Sequence, residues 1–205
     1  MRDRPIAPPP AAASARAVEI SMRGVGVRLG RRRVLGDVDL DVYTGEFVCV
    51  VGPSGCGKTT LLNMMAGFIM PGEGEILARG ERVTGPDPRR IFVFQEGGVF
   101  PWLTVAQNVA LGLGGKPRAE QATIVRHYVD MVGLEGFEDA YPKELSGGMR
   151  QRVEIARALA ASPDVIYMDE PFAALDHVTR LEMRRELTQL WQAERKTVVL
   201  VTHDI

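Results

Sequence analysis

The sequence of 205 residues is long enough for one domain, or for one domain with an inserted lobe, and its 45% apolar share is ordinary for a soluble protein. Its apolar runs are too short to cross a bilayer, so any link to a membrane has to go through a partner. The net charge of −1 argues against nucleic acid as a partner, and the two cysteines are too few for a disulfide framework.

The N-terminal segment over residues 1–17 is rich in proline, alanine and arginine and lacks the apolar stretch of a secretion signal, so we predict a disordered tail there. Residues 18–205 are then the folded domain. Residues 18–42 alternate apolar and polar side chains between glycines, which is typical of short antiparallel strands and hairpin turns. The triplet Arg31, Arg32 and Arg33 is interpreted as a solvated surface loop, with a local nucleic-acid contact as the alternative.

The stretch over residues 52–60 reads GPSGCGKTT and fits the phosphate-loop pattern G-x-x-x-x-G-K-[ST]. An apolar run over 47–51 precedes it and a helix over 60–66 is predicted to follow, which is the strand, loop and helix order that the motif requires. We predict that the whole loop contacts a nucleoside triphosphate, namely Gly52, Pro53, Ser54, Gly55, Cys56, Gly57, Lys58, Thr59 and Thr60.

The residue types of this loop explain how phosphate would bind. Gly52, Gly55 and Gly57 are expected to take positive φ, so that successive N–H groups converge on phosphate oxygens at the positive end of a helix. Lys58 would reach the β- and γ-phosphates, and the Thr59 hydroxyl would join the shell of a magnesium ion. The structural alternative is a glycine-rich turn with an exposed lysine.

Further strand signals over residues 75–78, 91–94, 165–168 and 198–201 alternate with helical periodicity, which predicts an α/β core with a largely parallel sheet. Residues from about 96 to 150 are predicted to form a helical lobe. One apolar helix face in this lobe is formed by Val125, Tyr128, Val129 and Val132. A separate helix between the last two strands has an apolar face formed by Met183, Leu187, Leu190 and Trp191.

Polar residues follow three of these strands, at the sheet edge where parallel sheets place their ligands. Asp169 is predicted to hold magnesium, and Glu170 to orient or deprotonate the attacking water. Gln95 suits a second magnesium contact, and His203 suits a sensor of the γ-phosphate. Solvated strand ends with no catalytic role are the alternative.

The segment over 145–152 reads LSGGMRQR and is a second glycine-containing entry to a helix, which Ser146 can cap. It is either a capped helix start or, through Ser146, Gly147 and Gly148, a second anion site. A single chain already binds its nucleotide at its own phosphate loop. A second phosphate site therefore suggests that this segment binds the nucleotide of another chain.

Together these residues resemble the ATPase subunits of ATP-binding cassette (ABC) transporters, from residue 18 to residue 205. The matching elements are the Walker A loop (52–60), the Q-loop residue Gln95, the signature (145–152), the Walker B strand (165–169) with Glu170, the D-loop (173–176) and the switch residue His203. The resemblance implies a P-loop NTPase core with a largely parallel sheet, an N-terminal antiparallel β subdomain and the inserted helical lobe.

The resemblance also implies a mechanism and partners. Two copies would form a homodimer that sandwiches two ATP molecules with Mg²⁺, each between Walker A of one chain and Ser146, Gly147 and Gly148 of the other. The segments over 99–109, 141–152, 168–180 and 201–205 look like the nitrate, sulfonate and taurine importer branch. That branch works at the cytoplasmic face of the inner membrane, where a permease fed by a solute-binding protein takes up small anions or organic solutes.

The chain departs from the family pattern in three places. Leu29 stands where many relatives have an aromatic residue that stacks on adenine, so apolar contact is kept and ring stacking is lost. Ala173 replaces a small polar residue, and the chain ends just after His203, which we interpret as a truncated domain. The alternatives are a soluble ABC ATPase outside transport and an ATP-binding module without turnover.

Overall fold

The computed structural model of the chain describes residues 16–94, 98–173 and 177–203, without the side chains of Thr179 and Leu190. The predicted tail over 1–17 lies almost wholly outside this part, and so do Gln95 and most of the predicted D-loop. These stay predictions.

Within the described residues the strands and helices alternate as the sequence predicts. The strands are β1 (Val18–Leu29), β2 (Arg32–Tyr43), β3 (Phe47–Val51), β4 (Glu73–Ala78), β5 (Glu81–Arg82), β6 (Arg90–Val93), β7 (Val165–Asp169) and β8 (Thr197–Thr202). The helices are α1 (Lys58–Ala66), α2 (Val105–Ala110), α3 (Arg118–Met131), α4 (Gly147–Ala160) and α5 (His177–Glu194).

The N-terminal sheet is antiparallel and has the strand order β2-β1-β4-β5. The prediction of short strands is wrong here, because β1 and β2 each run for 12 residues as one long hairpin. The register shifts between Met22 and Val25 and again between Val25 and Val27. Gly24, at φ +55°, absorbs the first shift as a bulge, so the glycines bend the strand and do not end it.

The second sheet has the order β3-β8-β7-β6, and each of its neighbouring pairs is parallel, which confirms the predicted α/β core. Its central strand β7 is buried at every position, as expected for a strand covered on both faces. Because the strands are parallel, their carboxyl ends meet at one edge. That edge receives the phosphate loop from β3, Asp169 from β7 and His203 from β8.

Two apolar cores hold these layers together. Helix α1 lies in the core that contains side chains of both sheets, with Leu62, Met64 and Met65 fully buried. The phenol of Tyr167 on β7 donates a hydrogen bond of 3.1 Å to the carbonyl of Met65, which ties the core sheet to the end of α1. The start of α1 is therefore fixed beside the sheet edge.

The other core joins helices α2, α3 and α4 to the opposite face of the parallel sheet. The predicted helix faces are buried in it, since Val125, Tyr128, Val129, Val132, Met183 and Leu187 are all members. No helix among the described residues is both long enough and apolar enough to span a membrane.

Candidate nucleotide site

The phosphate loop connects β3 to α1 in a left-handed turn. Gly55 and Gly57 have φ of +78° and +103°, as expected, whereas Gly52 does not take positive φ, so that expectation is wrong. A Cβ at Gly52 would lie 3.1 Å from the Cys56 sulfur, a tight contact that a small shift of the Cys56 side chain would have to relieve. Gly57 caps α1, which begins at Lys58, two residues earlier than predicted.

Lys58 is the buried cation of this loop, with only 7% of the residue exposed. Its ammonium donates hydrogen bonds of 2.7 Å and 2.9 Å to the carbonyl oxygens of Gly52 and Pro53. The charge is therefore held over the loop and does not extend into solvent. This placement disfavours a simple turn with an exposed lysine.

The first turn of α1 meets the end of β7 through a hydroxyl and a carboxylate. The Thr59 hydroxyl donates a hydrogen bond of 3.1 Å to Asp169, which is 7% exposed. Burial raises the pKa of Asp169, while the hydrogen bond from Thr59 and the charge of Lys58 oppose that rise.

These two oxygen donors fit a magnesium ion. Mg²⁺ is usually held by one or two carboxylates, with substrate phosphates and water completing its shell. No group of three or more histidine, cysteine or acidic side chains that could bind a metal occurs in the described part of the chain. Thr59 and Asp169, together with a phosphate, would hold the ion here.

Glu170 and His203 form a direct pair at the same edge. The Nδ1 atom of His203 lies 2.8 Å from a carboxylate oxygen of Glu170. Glu170 has the left-handed φ of +45°, and its N–H donates a hydrogen bond of 2.9 Å to the carbonyl of Val201. The contact was not predicted from the sequence. The parallel register of β7 and β8 pairs Asp169 with Val201, and this brings the residues after Asp169 close to those after Val201. Knowledge of that register would have predicted the contact.

A cavity of about 370 Å³ opens in front of the loop. Its walls combine the loop, Glu170 and the tip of the first hairpin, and the lining residues from that hairpin are Leu29, Arg32, Arg33 and Val34. The role of Leu29 at the base stays a prediction. The arginine triplet is exposed, as its interpretation as a solvated surface loop requires, but Arg32 and Arg33 begin β2 and are not in a loop, and both line the cavity.

The signature segment begins α4 elsewhere in the chain. Ser146 caps this helix, since its hydroxyl accepts a hydrogen bond of 3.2 Å from the N–H of Met149. The helix starts at Gly147, so both glycines of the segment are part of its first turn. Ser146 and Gly147 are exposed, and neither they nor Gly148 line the cavity of their own phosphate loop.

Two charged side chains on α4 hold the residues on either side of segment 95–97. Glu154, only 3% exposed, accepts a hydrogen bond of 3.2 Å from the N–H of Phe94. Arg157 donates a hydrogen bond to the carbonyl of Gly98. Burial raises the pKa of Glu154, which the charge of Arg157 partly offsets. This link between the signature helix and the flanks of Gln95 was not predicted.

The conformation of Gly57 leads to a prediction about stability. Replacing Gly57 with alanine should destabilise the fold by about 1–3 kcal/mol, because the φ of +103° suits only glycine and the new Cβ would lie 2.9 Å from Leu35. Urea unfolding of both proteins measures the difference. The matched control is Gly114→Ala, since Gly114 has φ −51° and open space around it. Equal stability of all three proteins would contradict the prediction.

Comparison with known proteins places these elements in a common pattern. A protein-family model described as ABC transporter matches residues 35–173, which include the phosphate loop, the signature and Glu170. TauB, a taurine import ATP-binding protein of Roseobacter denitrificans, is 50% identical over 175 residues, which make up 84% of this chain and 65% of the relative. SsuB, an aliphatic sulfonates import ATP-binding protein of Bacillus cereus, is 48% identical over 176 residues, or 86% of this chain and 70% of the relative.

A solved structure shows the same arrangement in three dimensions. The structure of cbiO1 from Clostridium perfringens, described as part of the ABC transporter complex cbiONQ, matches with a TM-score of 0.84 at 26% sequence identity. The match covers 92% of this chain and 79% of the other. The likeness therefore extends over both sheets and the helices between them.

Proposed function

The chain belongs to the ABC transporter ATPase family, and on that premise we propose that it is the ATP-hydrolysing subunit of an importer. The observation that carries the proposal is the contact of 3.1 Å between Thr59 and Asp169, because it joins the phosphate loop to the Walker B strand. Nucleotide and ion would then share one edge of the parallel sheet with Glu170 and His203.

Each polar group at this edge has a distinct role in the proposal. The loop N–H groups and Lys58 bind the phosphates, and Thr59 and Asp169 hold magnesium, with Gln95 as a further ligand. When bound, the ion offsets the negative charge that develops on the phosphates. Glu170 takes a proton from the attacking water, and His203 orients the Glu170 carboxylate through their contact of 2.8 Å.

The proposal includes a homodimer. Ser146, Gly147 and Gly148 stand at an exposed or half-exposed helix start that does not line the cavity of its own chain. N–H groups and a hydroxyl at a helix N-terminus suit a phosphate. We therefore place this segment against the ATP of a second copy, so that each ATP is sandwiched between two chains and its binding closes the dimer.

The names of the relatives suggest the cargo. TauB and SsuB are described as import proteins for taurine and aliphatic sulfonates, and about half of their aligned residues are identical to this chain. We propose that the dimer drives uptake of a small sulfonate-like or similar anion, as a peripheral subunit on the cytoplasmic face of a membrane permease. A solute-binding protein would deliver the solute to that permease.

Light scattering with ATP and magnesium tests the dimer. The Glu170→Gln variant should double in mass with ATP and Mg²⁺ and stay monomeric without nucleotide, because bound ATP is then not consumed. A double variant that also carries Ser146→Arg is the matched control. It should still bind ATP and remain monomeric, since the new side chain blocks the facing site. If both proteins bind ATP and neither changes mass, the sandwich is wrong for this chain.

Cysteine labelling tests whether nucleotide enters the phosphate loop. Cys56 is exposed in that loop, so maleimide should label it, and ATP with Mg²⁺ should slow the labelling by covering the sulfur. Cys49 is also exposed and lies on β3, so the experiment uses a Cys49→Ser background. A Cys56→Ser variant in that background gives the blank. Labelling at the same rate with and without ATP would show that nucleotide does not cover the loop.

A further inference from the structure

The tip of the first hairpin places a cation next to Leu29. Leu29 and Arg32 are directly opposite each other across β1 and β2, so their side chains share one face, with Cβ atoms about 4.5–5.5 Å apart. Both residues line the cavity in front of the phosphate loop. An apolar side chain and a guanidinium therefore meet the same ligand volume.

The three neighbouring arginines have different partners. Arg33 is engaged by Glu73 at 3.0 Å, and its guanidinium lies where a side chain at Gly36 would stand. Arg31 is an exposed residue of the turn and does not line the cavity. Arg32 has neither an ion pair nor a side-chain hydrogen bond within the described residues. Of the three arginines, Arg32 is thus the one that lines the cavity and has no ion pair or side-chain hydrogen bond with another described residue.

The lining of the cavity suits more than one part of a nucleotide. The loop N–H groups and Lys58 supply donors for phosphate, and Glu170 lines the same cavity. The hairpin adds Leu29, Val34 and two arginines to the lining. A base has a flat π face, and a planar guanidinium stacks well on such a face. Leu29, which is 47% exposed, offers apolar contact and no ring.

We propose that Arg32 is a base-binding residue, which stacks its guanidinium on the purine of the bound nucleotide while Leu29 supports the ring edge. This proposal rests on the proposed function, because it needs ATP in the cavity. It gives Arg32 the stacking role for which the aliphatic side chain of Leu29 has no ring. Arg32 is exposed and pairs with no described residue, so replacing it should leave the fold intact.

The test compares ATP with inorganic tripolyphosphate, which has the phosphates and no base. Titration calorimetry with Mg²⁺ should show that Arg32→Ala weakens ATP binding by about 3- to 30-fold and leaves tripolyphosphate binding unchanged. Arg32→Lys keeps the charge and loses the planar group, so it should show most of the same loss for ATP. Arg31→Ala, one residue away and off the cavity, is the matched control and should bind both ligands like the parent.

A rescue variant separates stacking from a merely structural role. Adding Leu29→Tyr to Arg32→Ala supplies a ring at the hairpin tip and should restore most of the ATP affinity. The proposal is overturned if Arg32→Ala weakens both ligands equally, since Arg32 then binds phosphate, or if ATP binding does not change. Failure of the parent chain to bind ATP at all would instead overturn the proposed function itself.

Discussion

ATP hydrolysis is expected to fall by about 10²- to 10⁴-fold when Glu170 is replaced with glutamine, while ATP binding stays near that of the parent chain. The amide cannot take a proton from water, so the hydrolysis step loses its general base. The phosphate loop and Lys58 are unchanged, so the groups that bind ATP remain. Phosphate release at saturating ATP, together with equilibrium binding of ATP, measures the two effects separately.

Two further variants make this result specific. Glu120→Gln removes a carboxylate on α3 that pairs with Lys116 on the surface, and it should hydrolyse ATP at the parent rate. His203→Ala removes the partner that lies 2.8 Å from Glu170. If the two residues act as a unit, the double variant should be little slower than Glu170→Gln alone. Hydrolysis within about threefold of the parent rate in Glu170→Gln would place the base elsewhere.

The core of the fold was predictable because its signals are local. β7 is a run of apolar residues buried at every position, and the phosphate-loop pattern fixes the strand before it and the helix after it. Parallel strands then bring their carboxyl ends to one edge. For this reason Asp169 and His203 could be assigned to one site although 34 positions separate them in the sequence.

The parts that were missed depend on contacts between distant segments. The length of β1 and β2 was underestimated because glycine is depleted in strands, and the sequence does not reveal that Gly24 forms a bulge within a long hairpin. The contact between Glu170 and His203 depends on the register of β7 and β8.

The role of Arg32 depends on the hairpin folding back over the phosphate loop, since only then do Leu29 and Arg32 face the same cavity as Lys58. In the linear sequence a run of three arginines is indistinguishable from a solvated surface segment. All three arginines are exposed, but their positions and partners differ: Arg31 lies in the turn, Arg32 and Arg33 line the cavity, and Arg33 also pairs with Glu73. Composition alone could not make that division.

Replacing Lys58 with alanine should weaken ATP binding by about 10- to 100-fold or more, because charge-assisted hydrogen bonds to phosphate contribute about 1.5–3 kcal/mol each. The free protein should lose little stability. The carbonyls of Gly52 and Pro53 would lose their donor, but water can replace it, since Pro53 is exposed. Calorimetric titration with ATP and urea unfolding give the two values.

The matched control for Lys58 is Lys196→Ala, which removes a half-exposed lysine whose partner is Ser162. This control should bind ATP like the parent, and ATP should still protect Cys56 from maleimide. In Lys58→Ala, protection of Cys56 should require correspondingly more ATP, because calorimetry and maleimide labelling both report how much of the phosphate loop is occupied by ATP. Unchanged affinity in Lys58→Ala would mean that the ammonium remains on the loop carbonyls when ATP is bound, and that the loop N–H groups alone hold the phosphates.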